Sequence, residues 1–245
     1  MTGTFPFALV TGGAHRLGKA FAVSLARQGY AIGLHHHASA QKAQATAAEI
    51  RALGVPAIPL QADLTQLEQI ESLFRKIDDL FSSQPLEFKV LVNSAAIMAR
   101  GDIASLTAAD FDAAISLNLR APFLCAQQAA HRMNSGGLIV NISDIGAAKA
   151  WTGFPAYTVS KAGLESLTKI LARALAPKIR VNAIAPGLVL PSEDMPPAEW
   201  ERLVGRLPMK RPADPDEIAS ALEFLLKNEY ITGQIISIDG GYSLV

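Results

Sequence analysis

Tyr157 and Lys161 stand four residues apart, and Asp144 stands thirteen residues before the tyrosine. On a helix, positions i and i+4 share a face, so the phenol and the ammonium can point into one cleft. A nearby cation favours the phenolate, so the spacing predicts that Lys161 pulls Tyr157 below the free phenol pKa of about 10. At an effective dielectric of about 20, unit charges about 4 Å apart interact by about 4 kcal/mol, enough to matter near neutral pH. Such a phenol hands a proton to a reacting carbonyl or imine and recovers it from solvent. The same spacing also occurs on ordinary surface helix turns, so its meaning depends on what surrounds it.

The surrounding chain alternates short apolar runs with helical patterns. Strands are expected at 7–10, 30–34, 57–60, 88–92, 137–142, 179–184 and 234–238. Helices are expected at 17–27, at 39–53 with Ser39 as N-cap, and from a cap at Thr65 to about 81. Further helical patterns run over 107–116, 120–133, 157–174, 198–204 and 214–226. The last begins with Asp214, Pro215, Asp216 and Glu217, an acid-rich first turn. This alternation demands right-handed crossovers and one parallel sheet with helices on both faces. No linker, repeat or low-complexity stretch divides it, so residues 1–245 read as one α/β domain with a Pro-rich substrate loop at about 187–205.

In such sheets ligands bind outside the carboxyl ends of the strands. The chemical candidates fall there. Thr11 to Gly18 follow the first strand, Asp63 the third, Asn93 the fourth, Asp144 the fifth, and Pro186-Gly187 the sixth. A strand, a glycine-rich turn and a helix form a dinucleotide-binding plan, in which backbone N–H groups and a helix N-terminus favour a pyrophosphate. Arg16 stands where a further glycine is expected. The second strand ends in Leu34-His35-His36-His37-Ala38-Ser39, with no Asp or Glu to meet a ribose 2′-hydroxyl. Histidines, Ser39 and the Arg16 guanidinium suit a 2′-phosphate, which favours NADP over NAD. The three histidines do not read as a metal site, because adjacent strand residues alternate faces. Asp63 either bonds an adenine edge or caps the next helix.

Composition excludes several classes. The chain has 245 residues, 22 basic and 22 acidic, with a formal net charge of +0. That balance gives no footprint for nucleic acid or an anionic membrane. Half of the residues are apolar, and no apolar run approaches the ~20 residues of a membrane span. The first ten residues read as a strand rather than a signal peptide. The single cysteine, Cys125, reads as a small buried hydrophobe and fits a reducing compartment. A cytoplasmic protein is expected.

Thr11-Gly12-x5-Gly18, Asp63, Asn93-x-Ala95, Asn118, Tyr157-x3-Lys161 and Pro186-Gly187, in this order over nearly the whole chain, resemble the short-chain dehydrogenase/reductases. The resemblance implies a Rossmann-type, doubly wound parallel sheet of about seven strands, a nicotinamide cofactor and a homotetramer. It implies that Tyr157 is the general acid, that Lys161 holds the ribose and lowers the tyrosine pKa, and that Asn118 supports a water relay. Cofactor contacts are implied for Gly12, His15, Arg16 and Leu17, for His36, His37 and Ser39, and for Asp63 and Leu64. Asn93, Ala95, Ile142, Pro186 and Gly187 complete them.

Most of that family carries serine where this chain has Asp144. Aspartate there, with Arg16 in place of the middle glycine, resembles the pteridine reductases. So do LHHHAS at 34–39, LQADLT at 60–65, PGLVLPSEDMPPAEW at 186–200, YITG at 230–233 and the segment DGGYSLV. The resemblance implies an NADPH-dependent reductase of a small molecule, a dihydropterin or dihydrofolate, with substrate contacts from Arg16, Met98, Asp144, Tyr157 and Leu188. Met98 stands where that subfamily commonly stacks an aromatic residue, and Ala38 replaces an expected basic residue. Reduction of a ketone or a 3-oxoacyl thioester is the alternative, and a non-catalytic NADP-binding protein a third. Trp151 and Phe154 line the substrate pocket or belong to the core. Trp200 and Met195 flank a lid, Arg120 and Arg132 read as solvated, Asn182 supports the sixth strand, and 242–245 are expected at a subunit interface.

Overall fold

The computed structural model describes residues 4–193 and 195–245. The apolar runs form seven strands: β1 (Phe5–Thr11), β2 (Ala31–His36), β3 (Ala57–Gln61), β4 (Leu86–Asn93), β5 (Gly137–Ile142), β6 (Ile179–Pro186) and β7 (Ile235–Ile238). They pair in the order β3-β2-β1-β4-β5-β6-β7, every pair parallel. This is a Rossmann-type, doubly wound sheet. The strand order reverses between β1 and β4, which opens a crevice at their carboxyl ends. The register places Thr11 beside Asn93 and Asn93 beside Asn141, so the three strand ends are level.

Eight α-helices connect the strands among the described residues: α1 (Arg16–Arg27), α2 (Ala40–Ala52), α3 (Leu67–Ser83), α4 (Ala108–Ile115), α5 (Ala121–Arg132), α6 (Pro155–Leu175), α7 (Pro197–Arg206) and α8 (Pro215–Lys227). They cover both sheet faces, each with its own core. One packs Val10, Phe21, Leu25 and Leu222, the other Phe7, Phe74, Phe88 and Ile139. Phe7 meets Phe88 edge-on at 5.5 Å between ring centres. Each such fully buried side chain contributes about 1.5–3 kcal/mol. Cys125 is wholly buried, and burial pushes its thiol up to about 12, in keeping with a packing role.

Several boundaries differ from the pattern reading. The helices expected at 107–116 and 120–133 are joined by a π-helical turn, Ser116–Arg120, so the chain continues instead of breaking. Such turns are single-residue insertions that cluster at functional sites. The long helix starts at Pro155, not Tyr157, because proline fits the first helical turn. Ser39 occupies the N-cap of α2 without a side-chain capping bond. Gln66, not Thr65, is the N-cap of α3; the Thr65 hydroxyl is turned to Asp63 instead. Arg132 is not solvated: it clasps Asp78 with two bonds of 2.7 Å and lies over the Phe74 ring. Arg120 donates to Thr65 O. Asn182 is buried and bonds Ile231 O and Gln234 N, bracing β6 as expected. No described helix is long and apolar enough to cross a membrane.

Candidate active site

The carboxyl ends of the strands border a cleft of about 690 Å³. Its floor is the turn after β1. Gly12 has φ +64, and a Cβ there would meet the Ala95 backbone at 2.9 Å. A Cβ on Gly18 would lie 2.0 Å from Gly12 O. Turn and helix α1 therefore close to backbone distance only with glycine at both places. Arg16 is also left-handed, φ 53, in a region where a side chain is strained. That is why a glycine is expected there. The arginine reaches across the cleft to donate to Leu190 O at 3.0 Å.

Thr11 holds the next wall. Its hydroxyl accepts from Ser94 N at 3.0 Å and Ala95 N at 3.1 Å, fixing the loop after β4 over the turn. Asp63 accepts from the Thr65 N–H and hydroxyl at 2.9 and 2.7 Å. Burial raises its pKa, but these two bonds outweigh burial and hold the carboxyl below its usual value. Asp63 thus shapes the turn before α3 while still facing the cleft.

At the far end stand the reacting candidates. Asp144 is the N-cap of a 3₁₀ turn, Ile145–Ala147, and its Oδ1 accepts from Gly146 N at 2.7 Å. That cap aims Oδ2 at Tyr157, whose Oη donates to it at 2.8 Å. One helical turn on, Lys161 is buried and donates to Ile142 O at 2.6 Å. Its Nζ lies 5.6 Å from the Tyr157 ring centre.

The electrostatics overturn one expectation. Tyr157 is raised well above the usual phenol value, first by burial, then by the Asp144 charge and hydrogen bond. Lys161 does not pull it below 10, because burial and a carboxylate directly on the phenol both favour the protonated form. Burial also raises Asp144, against the downward pull of Gly146, Tyr157 and Lys161. Lys161 is pushed down to about 8 by burial, with Asp144 opposing.

The structure gathers most of the predicted residues around this cleft. Gly12, His15, Arg16 and Leu17 line one end, with His36, His37, Ser39, Asp63 and Leu64 beside them. Ala95 lies against Gly12, and Ile142, Asp144, Tyr157, Lys161, Pro186 and Gly187 line the other. Four residues stand apart. Asn93 is buried below the cleft and donates to Asn141 Oδ1 at 2.9 Å; Asn141 in turn reaches Thr168 on α6. Its side chain braces the sheet. Asn118, in the π turn, is fully buried; it bonds both backbone groups of Ile97 at 2.9 Å and Ser160 Oγ at 3.0 Å. Met98 is about half exposed and outside the cleft lining, where Ile97 and Leu117 supply the apolar contacts. Leu188 gives its carbonyl to Ala213 N; its neighbours Val189 and Leu190 face the cleft.

Ser143 is turned away from the phenol and donates to Glu165 at 2.9 Å, so Asp144 is the residue that meets Tyr157. Trp151 and Phe154 lie outside the cleft lining, and Trp151 packs between Phe154 and Tyr242. Asp194, inside the Pro-rich loop, lies outside the described residues. Among those described, no cluster of three His, Cys, Asp or Glu side chains is placed to hold a metal. The pattern reading missed His35, whose buried ring accepts from Gly12 N at 3.1 Å and bonds Ala62 O at 3.0 Å.

A family model described as enoyl-(acyl carrier protein) reductase matches residues 12–243. The chain is 34% identical over 243 residues to the 3-oxoacyl-[acyl-carrier-protein] reductase FabG of Staphylococcus aureus, covering 96% of each chain. FolM alternative dihydrofolate reductase 1 of Brucella canis, solved with NADP, superposes with a TM-score of 0.90 at 36% identity, over 100% of this chain and 96% of that one. A short-chain dehydrogenase of Burkholderia cenocepacia, also with NADP, gives 0.88 at 33% identity over 96% of each. With a match over nearly its full length and this sheet, turn and Tyr-Lys pair, the chain belongs to the short-chain dehydrogenase/reductase family.

Proposed function

We propose that this protein is an NADPH-dependent reductase of a pterin, a dihydropterin or dihydrofolate. The observation that carries this reading is the 2.8 Å bond between Tyr157 and Asp144. A ketone offers the site only an acceptor oxygen, and an ionised carboxylate beside it is repulsive. A pterin offers ring N–H donors next to its C=N bond. A carboxylate has about four acceptor positions, and Gly146 and Tyr157 use two of them. The remaining ones suit a substrate N–H.

The cleft fits a dinucleotide. Gly12 and Gly18 let the turn, the loop after β4 and helix α1 close to backbone distance, which brings the turn's N–H groups and the helix N-terminus to the cleft. The ring nitrogens Nδ1 of His15 and His36 are buried at the cleft and bond no protein group. His15, Arg16 and the N-terminus of α1 would hold the pyrophosphate. His36, His37 and Ser39 would meet the 2′-phosphate, and Lys161 the nicotinamide ribose. Bound NADPH would supply the hydride. Asp144 orients the substrate by accepting its N–H, and Tyr157 gives a proton to the reacting ring nitrogen. Asp144, whose pKa burial has raised, passes Tyr157 a replacement proton from solvent. Tyr157 and Asp144 titrate as a coupled pair. Asn118 keeps the loop before Met98 and helix α6 in register, which supports proton return.

The FabG relatives and the exposed Met98 favour a second reading, reduction of a 3-oxoacyl thioester. NADPH oxidation with dihydropterins, dihydrofolate and 3-oxo esters separates the two. Turnover confined to the oxo esters rejects the pterin reading. Apolar side chains left exposed on α4, α5 and α6, namely Phe111, Phe123, Val159 and Ile170, support self-association, which we read as a homotetramer; a cytoplasmic location is part of the same proposal. A monomer by light scattering rejects the assembly.

A further inference from the structure

We propose that His35 is a positioning residue that sets the height of the glycine-rich turn, and through it the affinity of the cleft for its dinucleotide. One residue holds two consecutive N–H groups of that turn. Gly12 N donates to His35 Nδ1 at 3.1 Å, and Gly13 N donates to the His35 carbonyl at 3.0 Å. On its other side the ring meets Ala62 O at 3.0 Å, at the end of β3. Nδ1 accepts, so Nε2 carries the hydrogen and donates to Ala62; this is one tautomer of the neutral ring. The imidazole is therefore a rigid strut from β3, through β2, to the turn.

The ring is 2% exposed. The titratable groups facing it are His36 and His37 on its own strand segment and Asp63 beyond β3. The turn offers it only N–H. A proton on Nδ1 would oppose the Gly12 N–H and force the turn away, and burial already holds the ring neutral, lowering its pKa to about 4. The turn cannot shift without penalty, since Gly12 lies against Ala95 on one side and Gly18 on the other.

The inference rests on the reading of the cleft as a dinucleotide site, and its test separates the two. His35→Leu removes both ring bonds at similar volume. His35→Asn keeps an acceptor near the Nδ1 position. NADPH affinity is read by fluorescence, with KM and kcat at saturating NADPH alongside. The expected result is an NADPH Kd raised tenfold or more by His35→Leu, with kcat changed less than about threefold, and recovery to within about threefold of wild type in His35→Asn. Two-bond proton–nitrogen spectra of the unliganded protein should report the Nε2–H tautomer. Loss of kcat with Kd unchanged, equal defects in both variants, or an Nδ1–H tautomer would each overturn the proposal. If neither variant folds, the tautomer and the NADPH Kd of wild type across pH 4 to 7 decide it. Affinity that stays flat while the ring protonates overturns it. A wild-type protein with the Nε2–H tautomer that binds no dinucleotide would reject the reading of the cleft, and the claimed effect on affinity with it, while leaving the strut standing.

Discussion

Tyr157 gives its phenolic hydrogen to Asp144, and the two oxygens are 2.8 Å apart. The acid is held for this bond by its own cap on Gly146 N, so a three-residue turn after β5 helps raise the pKa of a residue on α6. A phenol that donates to a carboxylate is a poor acid until that carboxylate takes a proton or a substrate donor.

Replacing the phenol should separate chemistry from binding. Tyr157→Phe is expected to lower kcat by about 10²–10⁴-fold, the usual worth of a positioned acid. NADPH affinity, measured by fluorescence titration, should stay within about threefold. Equal loss of both would mean that the residue holds the cofactor.

Asp144→Asn removes the charge with little change of shape. The phenol of Tyr157 should then titrate at lower pH, because a cause that raises it is gone. Ultraviolet titration of the phenolate reads this directly. Turnover of dihydropterin should fall about 10²-fold, while Asp144→Ser should lose less on a 3-oxo ester than on the pterin.

Lys161 is pushed down to about 8, so its charge is lost as pH rises through that value. NADPH affinity should weaken several-fold between pH 7 and 9.5. In Lys161→Arg, where the charge persists, the curve should be flat.

His35 predicts the acid limb of stability. Its folded pKa of about 4 lies below the unfolded value of 6.5, so between these values the unfolded chain binds more protons. Unfolding free energy should therefore drop as the pH is lowered through this window, by up to about 3 kcal/mol. Urea midpoints from pH 4 to 7 check it. His35→Asn should remove that part of the slope.

Gly18→Ala places a methyl 2.0 Å from Gly12 O, so turn and helix must separate. A loss of about 1–3 kcal/mol is expected, with NADPH affinity reduced more than tenfold. Thermal melts and the same fluorescence titration measure both.

Much of this was legible in the chain itself. Apolar runs closed by glycine, proline or a polar residue located all seven strands, because a buried parallel strand needs apolar residues on both faces. Alternation with helical patterns then forced a parallel sheet, and a parallel sheet puts every strand's carboxyl end on one edge. The grouping of Gly12, Asp63, Asp144 and Pro186 follows from that topology alone. Asn93 and Asn118 were less legible. Both are polar residues near that edge, and sequence cannot say whether an amide points up into a cleft or down into the sheet. Asn93 points down to Asn141, and Asn118 ties a loop to a helix.

The sequence by itself determined which chemical groups exist, which edge of the sheet they reach, and which family the chain resembles, since these depend on residue type, order and period. Only the tertiary structure decided how the groups act on one another. The spacing of Tyr157 and Lys161 predicted a lowered phenol pKa; burial and a carboxylate at 2.8 Å reverse the direction. Of three consecutive histidines, spacing marked His36 and His37 for the cofactor, yet it is His35 that the fold makes a buried strut to Gly12. The reason is that energies of charge and hydrogen bonding depend on distance, angle and dielectric, and the folded backbone alone fixes those.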